Sequence, residues 1–340
     1  MELGKLLSLL SKITGLLAAL VLFIFLSAVV YQLYPELFFD TNKGPWKIPT
    51  LATDLPDGSR GQLIKYGYYL TSESSRWMGP GAINPDHRYS GNNLACKNCH
   101  LENGTQPGSA SWVGVTKRYP QYRGREDRVG TIEDRINGCM ERSMNGERLP
   151  EDSRQMKAIV AYMEWLSSDM PDSLLAHYSG FPPVELPDTP ADTLHGRLVY
   201  ERECVVCHGA EGQGVWLADS SKGYQYPPVW GEDSYNHGAG MNRVITAARF
   251  IKGNMPFGQA TAGSPKLTDQ ESLDVAAYID SFNRPEKAGV ASDYPDPLRK
   301  PVSTPYGPWP DSFPALQHKY GPFKPIIRYY DINHDIRKTQ

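Results

Sequence analysis

The amino-acid sequence predicts a mainly α protein: an N-terminal transmembrane helix followed by two tandem small helical domains with long irregular linkers. Three observations predict it. An uncharged apolar run near the N-terminus has the length of a bilayer crossing. A Cys-x-x-Cys-His motif occurs twice, each time between two amphipathic segments. Finally, Pro 28 and Gly 31 in 340 residues put much of the chain into irregular connections. A typical domain takes roughly 100–150 residues, so the length admits two small domains and tails. The formal net charge of -3 supplies no basic field, which argues against a nucleic-acid partner; any anion site must be local.

Residues 13–34, "ITGLLAALVLFIFLSAVVYQLY", carry no charge and match the roughly 20 residues of a membrane-spanning helix. An uncleaved anchor is the first reading, a cleaved signal the second, and a buried soluble helix the third. Lys5 and Lys12 precede the run while Glu36 and Asp40 follow it, which places the N-terminus in the cytoplasm. Either leading reading exports the rest to the periplasmic side of a bacterial inner membrane.

Behind a proline-rich linker, "GQLIKYGYYL" sets Leu63, Tyr66 and Leu70 on one helical face. "DTLHGRLVYERECVVCH" runs a similar helix, with Leu194 and Leu198 together, into the second cysteine pair. Each copy also closes with a helix. Met156, Ile159, Val160, Met163 and Leu166 form the first stripe; Val275, Ile279 and Phe282 form the second, opened by a capping box from Thr268 to Glu271. The closing helices read "VAYMEWL" and "AAYIDSF". Aligning Tyr162 on Tyr278 brings Cys139 onto Met255 with no gap. The expected organisation is 1–34 anchor or signal, 35–60 linker, 61–170 first domain, 171–190 linker, 191–284 second domain and 285–340 proline-rich extension.

Cys96-Lys97-Asn98-Cys99-His100 and Cys204-Val205-Val206-Cys207-His208 have the attachment pattern of c-type haem, in which two thiols add to the porphyrin vinyls and the histidine ligates iron. A zinc ribbon would bring its pairs far closer together, and a redox dithiol would sit in a βαβ context. Two such motifs, each between a leading and a closing helix, predict two tandem cytochrome c-type domains with two covalently bound haems. Cys96, Cys99, Cys204 and Cys207 are the attachment residues, and His100 and His208 the proximal ligands. For the second iron, Met255 in "FIKGNMPFG" is favoured as distal ligand over Met241, with His237 third.

In the first copy that position holds Cys139. The plain reading is a small buried hydrophobe, with Met140 or Met144 as iron ligand. A free thiol in an oxidising compartment shifts weight toward function. A thiolate on iron lowers the potential of its haem and is a nucleophile when released. Its surroundings are cationic, with Lys117, Arg118, Arg123, Arg125, Arg128, Arg135, Arg142 and Arg148 nearby in sequence. On a helix, Arg135, Arg142 and Ser143 would share the Cys139 face, where arginines lower a thiol's pKa and bind small oxyanions.

"GNNLACKNCHLENGT", "RINGCMERSMNG", "PPVWGEDSYNHGAGMNR", "FIKGNMPFG" and the tail "PVSTPYGPWPDSF…QHKYGPF" together resemble the dihaem thiosulfate dehydrogenases, which join two thiosulfates into tetrathionate. The resemblance implies an oxidoreductase with Cys139 as distal ligand of the first haem and catalytic sulfur. It also implies Arg125, Arg135 and Ser143 at the substrate site and Met255 on the second iron. Some relatives place a lysine just before that methionine; this chain has Asn254 there and Lys252 further back. The implied partners are thiosulfate, tetrathionate, an external acceptor such as a cytochrome c, and a membrane through the N-terminal helix. The rival readings are a dihaem electron carrier without its own substrate and a Sox-type haem-thiolate cytochrome. The direction of flux, thiosulfate oxidation or tetrathionate reduction, stays open.

Overall fold

The computed structural model describes residues 3–34 and 45–338. The first of these segments lies in a unit of its own and forms one helix, α1 (Leu3–Leu33), of 31 residues, in which nearly every described side chain is exposed. At 1.5 Å per residue it is roughly 46 Å long, more than the roughly 30 Å of a bilayer core. It starts about three turns before the uncharged run, because Lys5 and Lys12 are themselves good helix formers. It is long and apolar enough to cross a membrane. Glu36, Asp40 and residues 35–44 of the expected linker lie outside the described residues.

The second unit holds both copies of the repeat. In the first copy α2 (Gly58–Ser72) packs on α4 (Arg154–Trp165), with α3 (Ile132–Met140) between them in sequence. The second copy repeats the order with α5 (Thr193–Glu203), α6 (Val244–Asn254) and α7 (Asp269–Asp280). Caps start these helices where the sequence supplies them. Thr131 and Asp134 form a reciprocal box at α3, Ser153 accepts from the Met156 amide at α4, Asp192 caps α5, and the expected Thr268–Glu271 box opens α7.

The leading and closing helices cross in the same way in both copies, and a glycine is the reason. A Cβ on Gly67 would lie 2.0 Å from the Ala158 carbonyl oxygen, and one on Gly196 would lie 2.0 Å from that of Asp274. The next obstacle is the Cβ of Tyr162 in one copy and of Tyr278 in the other, the two aligned tyrosines. This contact turns each leading helix away from its expected stripe. Gly61, Ile64, Gly67 and Leu70 are buried in α2 while Leu63 and Tyr66 are only half-buried; in α5 Gly196, Val199 and Tyr200 are buried. Leu194 and Leu198 face solvent at 76% and 61% exposure, so leucine spacing there misidentified the inner face. Most of the closing stripes lie inward: Met156, Ile159, Met163, Leu166, Val275 and Ile279 are buried, while Val160 and Phe282 are half-buried.

The connections contain two small antiparallel pairs. β1 (Gln121–Arg123) pairs with β2 (Arg128–Gly130), Tyr122 opposite Val129, and β3 (Val215–Trp216) pairs with β4 (Tyr224–Tyr226). The first hairpin holds Arg125 in its turn. The proline-rich tail is more ordered than its composition suggests. It forms α8 (Phe323–His334), whose Phe323, Ile326 and Tyr330 join the second copy's core of Val199, Trp230, Ile245 and Leu273.

Candidate active site

Cys96, Cys99 and His100 follow α2 on a short 3-10 turn and open into a cavity of about 390 Å³. Its walls include Trp112, Ile136, Met140, Met144, Ile159 and Met163, and Cys139 and Ser143 line it together with the motif. This largely apolar chamber with convergent sulfur and imidazole groups is the site that the cysteine pair needs. The His100 Nδ1 lies 2.8 Å from the Ala110 carbonyl, which can only accept; Nδ1 therefore carries the proton and Nε2 is left with the lone pair for a metal. His208 makes the same bond to the Pro227 carbonyl at 2.8 Å. Both histidines are thus fixed in the tautomer that ligates iron, and the residues present fit c-type haem at both motifs.

Cys139 is the penultimate residue of α3, with Arg135 one turn earlier on the same face. The Arg135 Nη1 donates to the Cys139 Sγ at 2.7 Å. Burial pushes the Cys139 thiol up, but the Arg135 guanidinium beside it brings the thiol down to about 6. The attachment thiols go the other way: burial pushes Cys96 up to about 11 and Cys99 to about 12. Cys139 is thus set apart from the two attachment cysteines in the same cavity by the guanidinium beside it.

The helical face expected around Cys139 holds only in part. Arg135 and Ser143 line the cavity, but α3 ends at Met140 and the chain turns at Glu141, which sends Arg142 away. Its Nη2 donates to the Asp293 Oδ1 at 2.6 Å. Arg125 is held by the same carboxylate, Nη1 to Oδ2 at 3.0 Å, and it also donates to the Gly238 carbonyl at 2.8 Å. Tyr306 gives Asp293 a further hydrogen bond at 2.9 Å. Arg125 thus stands behind the cavity wall. Asp293 and Tyr306 lie in the proline-rich tail, Tyr306 within its "PVSTPYGPWPDSF" motif and Asp293 outside any motif. Arg118 lines the cavity with Tyr119 and bonds the Ser179 hydroxyl.

In the second copy Met255 directly follows α6, and both it and Met241 pack half-buried against the core that holds Cys204. The third candidate, His237, accepts the Lys287 amide at Nδ1. Asn254 is fully buried, donating to the Gly108 and Phe250 carbonyls at 2.9 Å each and accepting from Gln106 at 2.8 Å. Lys252 is tied to Asp269 and the Pro183 carbonyl. The residue before Met255 is thus a structural link to the loop that carries Ala110.

Residues 87–171 match the SoxA/TsdA cytochrome c domain, and residues 194–283 match cytochrome c. The thiosulfate dehydrogenase of Psychrobacter arcticus is 41% identical over 256 residues, covering 75% of this chain and 73% of that one. The chain belongs to the thiosulfate dehydrogenase family. The Allochromatium vinosum member is 41% identical over 235 residues, 68% of this chain and 82% of its own. Among solved structures, the thiosulfate dehydrogenase TsdBA of Marichromatium purpuratum superposes with a TM-score of 0.64 at 33% identity. The match covers 72% of this chain and 50% of that one. With two tandem cytochrome c domains of this family, the chain carries two covalently bound c-type haems, attached through cysteine pairs of the kind described above.

Proposed function

We propose that this thiosulfate dehydrogenase couples two thiosulfates into tetrathionate at Cys139, 2 S2O3(2−) → S4O6(2−) + 2 electrons. The observation that carries the reading is the Cys139 sulfur, bound by Arg135 and sharing one largely apolar cavity with His100. The two haems would supply the oxidant, a one-electron acceptor each, with a cytochrome c as the expected kind of external acceptor. His100 and Cys139 would hold the iron of the first haem, and His208 and Met255 that of the second.

The chemical difficulty is that two dianions must meet. A like-charged unit pair 4 Å apart repels by roughly 4 kcal/mol at an effective dielectric of 20, and two dianions by about four times that. Arg135 answers part of the cost by neutralising charge at the thiolate and by offering planar paired donors to a sulfonate. Ser143 offers a hydroxyl on the same wall. Arg125, held by Asp293, adds positive potential from behind.

In the first step the Cys139 thiolate forms a sulfur–sulfur bond with the sulfane sulfur of thiosulfate, releasing two electrons and leaving a cysteine S-thiosulfonate. In the second, another thiosulfate attacks that sulfane sulfur. The Cys139–sulfur bond breaks, tetrathionate leaves and the thiolate returns with its electron pair. Each step balances in sulfur and charge, and the second is a disulfide-type exchange that can run backwards. Tetrathionate reduction is the same chemistry reversed.

The cavity opens on the exported unit, which α1 either tethers to the inner membrane or delivers to the periplasm. The decisive experiment adds thiosulfate anaerobically to the oxidised holoprotein and follows haem reduction and tetrathionate together. Reduction with tetrathionate formation by the isolated chain is expected. It would exclude both the plain electron carrier and a Sox-type cytochrome that needs a carrier protein. A protein reduced by dithionite but inert to both thiosulfate and tetrathionate would refute the reading.

A further inference from the structure

The basic residues that the sequence gathers around Cys139 sort into two groups. Lys117 is paired with Asp172, Arg123 with Glu126, Arg125 and Arg142 with Asp293, and Arg128 and Arg148 with Asp134. Arg118 and Arg135 have no carboxylate partner among the described residues, and these two alone of the group line the Cys139 cavity. No described aspartate, glutamate or lysine lines it with them.

Arg135 already serves the Cys139 sulfur through Nη1. Arg118 serves nothing charged. Its Nη1 donates to the Ser179 hydroxyl, and Ser179 is itself a wall residue, so the guanidinium end of the side chain, and not only its aliphatic stem, stands at the cavity surface. Among the described residues its Nε and Nη2 make no hydrogen bond, and neither atom is buried. Gln121, an exposed residue, lines the same cavity, so the chamber reaches the protein surface there. A guanidinium with donors left over, in the wall of a largely apolar and acid-free chamber, is a receptor for an oxyanion.

The proposed reaction calls for such a group. Both ends of tetrathionate are sulfonates, and both must be inside when the second sulfur–sulfur bond forms. Arg135 can take one of them beside the sulfur that it holds. The other needs a cation elsewhere on the wall, because two dianions in one low-dielectric chamber repel strongly.

We propose that Arg118 binds the sulfonate of the second, attacking thiosulfate, with its guanidinium held in place by Ser179 from the linker between the two copies. The inference rests on the thiosulfate dehydrogenase reading above and adds a second anion subsite to it. A haem carboxylate is the competing oxyanion at this wall, and the test separates the two.

The test uses the full-length holoprotein, with Arg118→Gln and Arg118→Lys assayed for thiosulfate oxidation and both haem midpoint potentials followed from about pH 5 to about pH 8. The Gln variant loses charge-assisted hydrogen bonds to the substrate, so its KM for thiosulfate is expected to rise about tenfold or more, with the pH dependence of both potentials unchanged. The Lys variant keeps the charge without the paired donors and should recover part of the loss. A KM within about twofold of wild type in the Gln variant overturns the proposal. A new pH dependence in the potential of the first haem overturns it too, whatever KM does, because a haem carboxylate deprived of its guanidinium would titrate there. If the Gln variant does not accumulate as holoprotein, Arg118→Lys decides: a several-fold rise in KM supports the assignment, and a wild-type KM removes it. Wild-type protein that does not oxidise thiosulfate would instead refute the function, and the proposal with it.

Discussion

Asp293 is the carboxylate whose loss should cost most. It sits in the tail with its side chain 5% exposed and holds Arg125 and Arg142, themselves 14% and 9% exposed. Asp293→Asn removes the charge and keeps the shape, leaving the Arg125 and Arg142 guanidiniums without the carboxylate they share. Breaking a buried ion pair from one side costs about 3–5 kcal/mol, because the partner stays in place uncompensated. At roughly 2–4 °C per kcal/mol for a large domain, the melting temperature should fall by roughly 6–20 °C. Thermal unfolding followed by the haem Soret band measures it. The loss should be shared with the partner: in a double-mutant cycle with Arg142→Met, the two losses should be less than additive. The sign with pH is fixed as well. Burial raises the Asp293 carboxyl, but Arg125 and Arg142 outweigh it and hold the group below the ordinary carboxylate range. The contribution is therefore fully present above the unfolded value near 4 and is lost as pH falls from there through the folded value. A variant that melts within 2 °C of wild type at neutral pH would refute this account of what holds the site's arginines.

Cys139→Ser should keep both haems, since Cys96, Cys99, Cys204 and Cys207 remain, and lose thiosulfate turnover by at least a hundredfold; haem content and tetrathionate formation on one sample decide it, and near-wild-type turnover would end the covalent scheme. Gly67→Ala should destabilise the first copy by about 1–3 kcal/mol, because the added methyl meets the Ala158 backbone and overpacking outweighs the helix-propensity gain of about 1 kcal/mol. Gly196→Ala should do the same to the second copy, and denaturant unfolding of either variant at wild-type stability would show that the crossings are looser. Asp134 is lowered to about 2, chiefly by its hydrogen bond from Arg128, with help from the Thr131 amide and Arg148. Since that carboxylate caps α3, Asp134→Asn should remove about 1–2 kcal/mol above pH 4, discounted for the half-exposed Arg128, and flatten the acid limb of a melting-temperature series between pH 4 and 2.

Much of this was legible from spacing alone, because the repeat is written in residues with little conformational choice. The Cys-x-x-Cys-His motifs, the closing stripes and the Thr268–Glu271 box each state a local geometry. The inner faces of the leading helices were misread for a physical reason: Gly67 and Gly196 bring backbone against backbone, and a contact made by the absence of a side chain leaves no hydrophobic period. Arg142 was placed with Cys139 on the assumption that α3 continues, whereas the helix ends one residue after Cys139. Asp293, and the part Tyr306 plays beside it, were not legible at the site. They come from a tail distant in sequence, and only the fold brings them to the Cys139 segment.

The two copies show how small the change from carrier to enzyme can be. Both keep the crossing glycine, the paired tyrosine and the histidine Nδ1 bonded to a carbonyl. Where the second has Met255 and, four residues earlier, the buried Ile251, the first has Cys139 and Arg135. A thioether needs no counter-charge, so an aliphatic neighbour completes its packing. A thiolate in the same depth of protein does need one, and Arg135 supplies it at 2.7 Å. The cysteine therefore requires the arginine before any substrate is present. A guanidinium that keeps the thiolate charged is already placed to receive an anion, so on the proposed reading the exchange of methionine for cysteine brings an anion site with it. On this reasoning Arg135→Ile should be the more damaging half of the exchange. It strands a buried thiolate and removes an anion contact together, and Cys139→Met made alongside it should recover stability without recovering turnover.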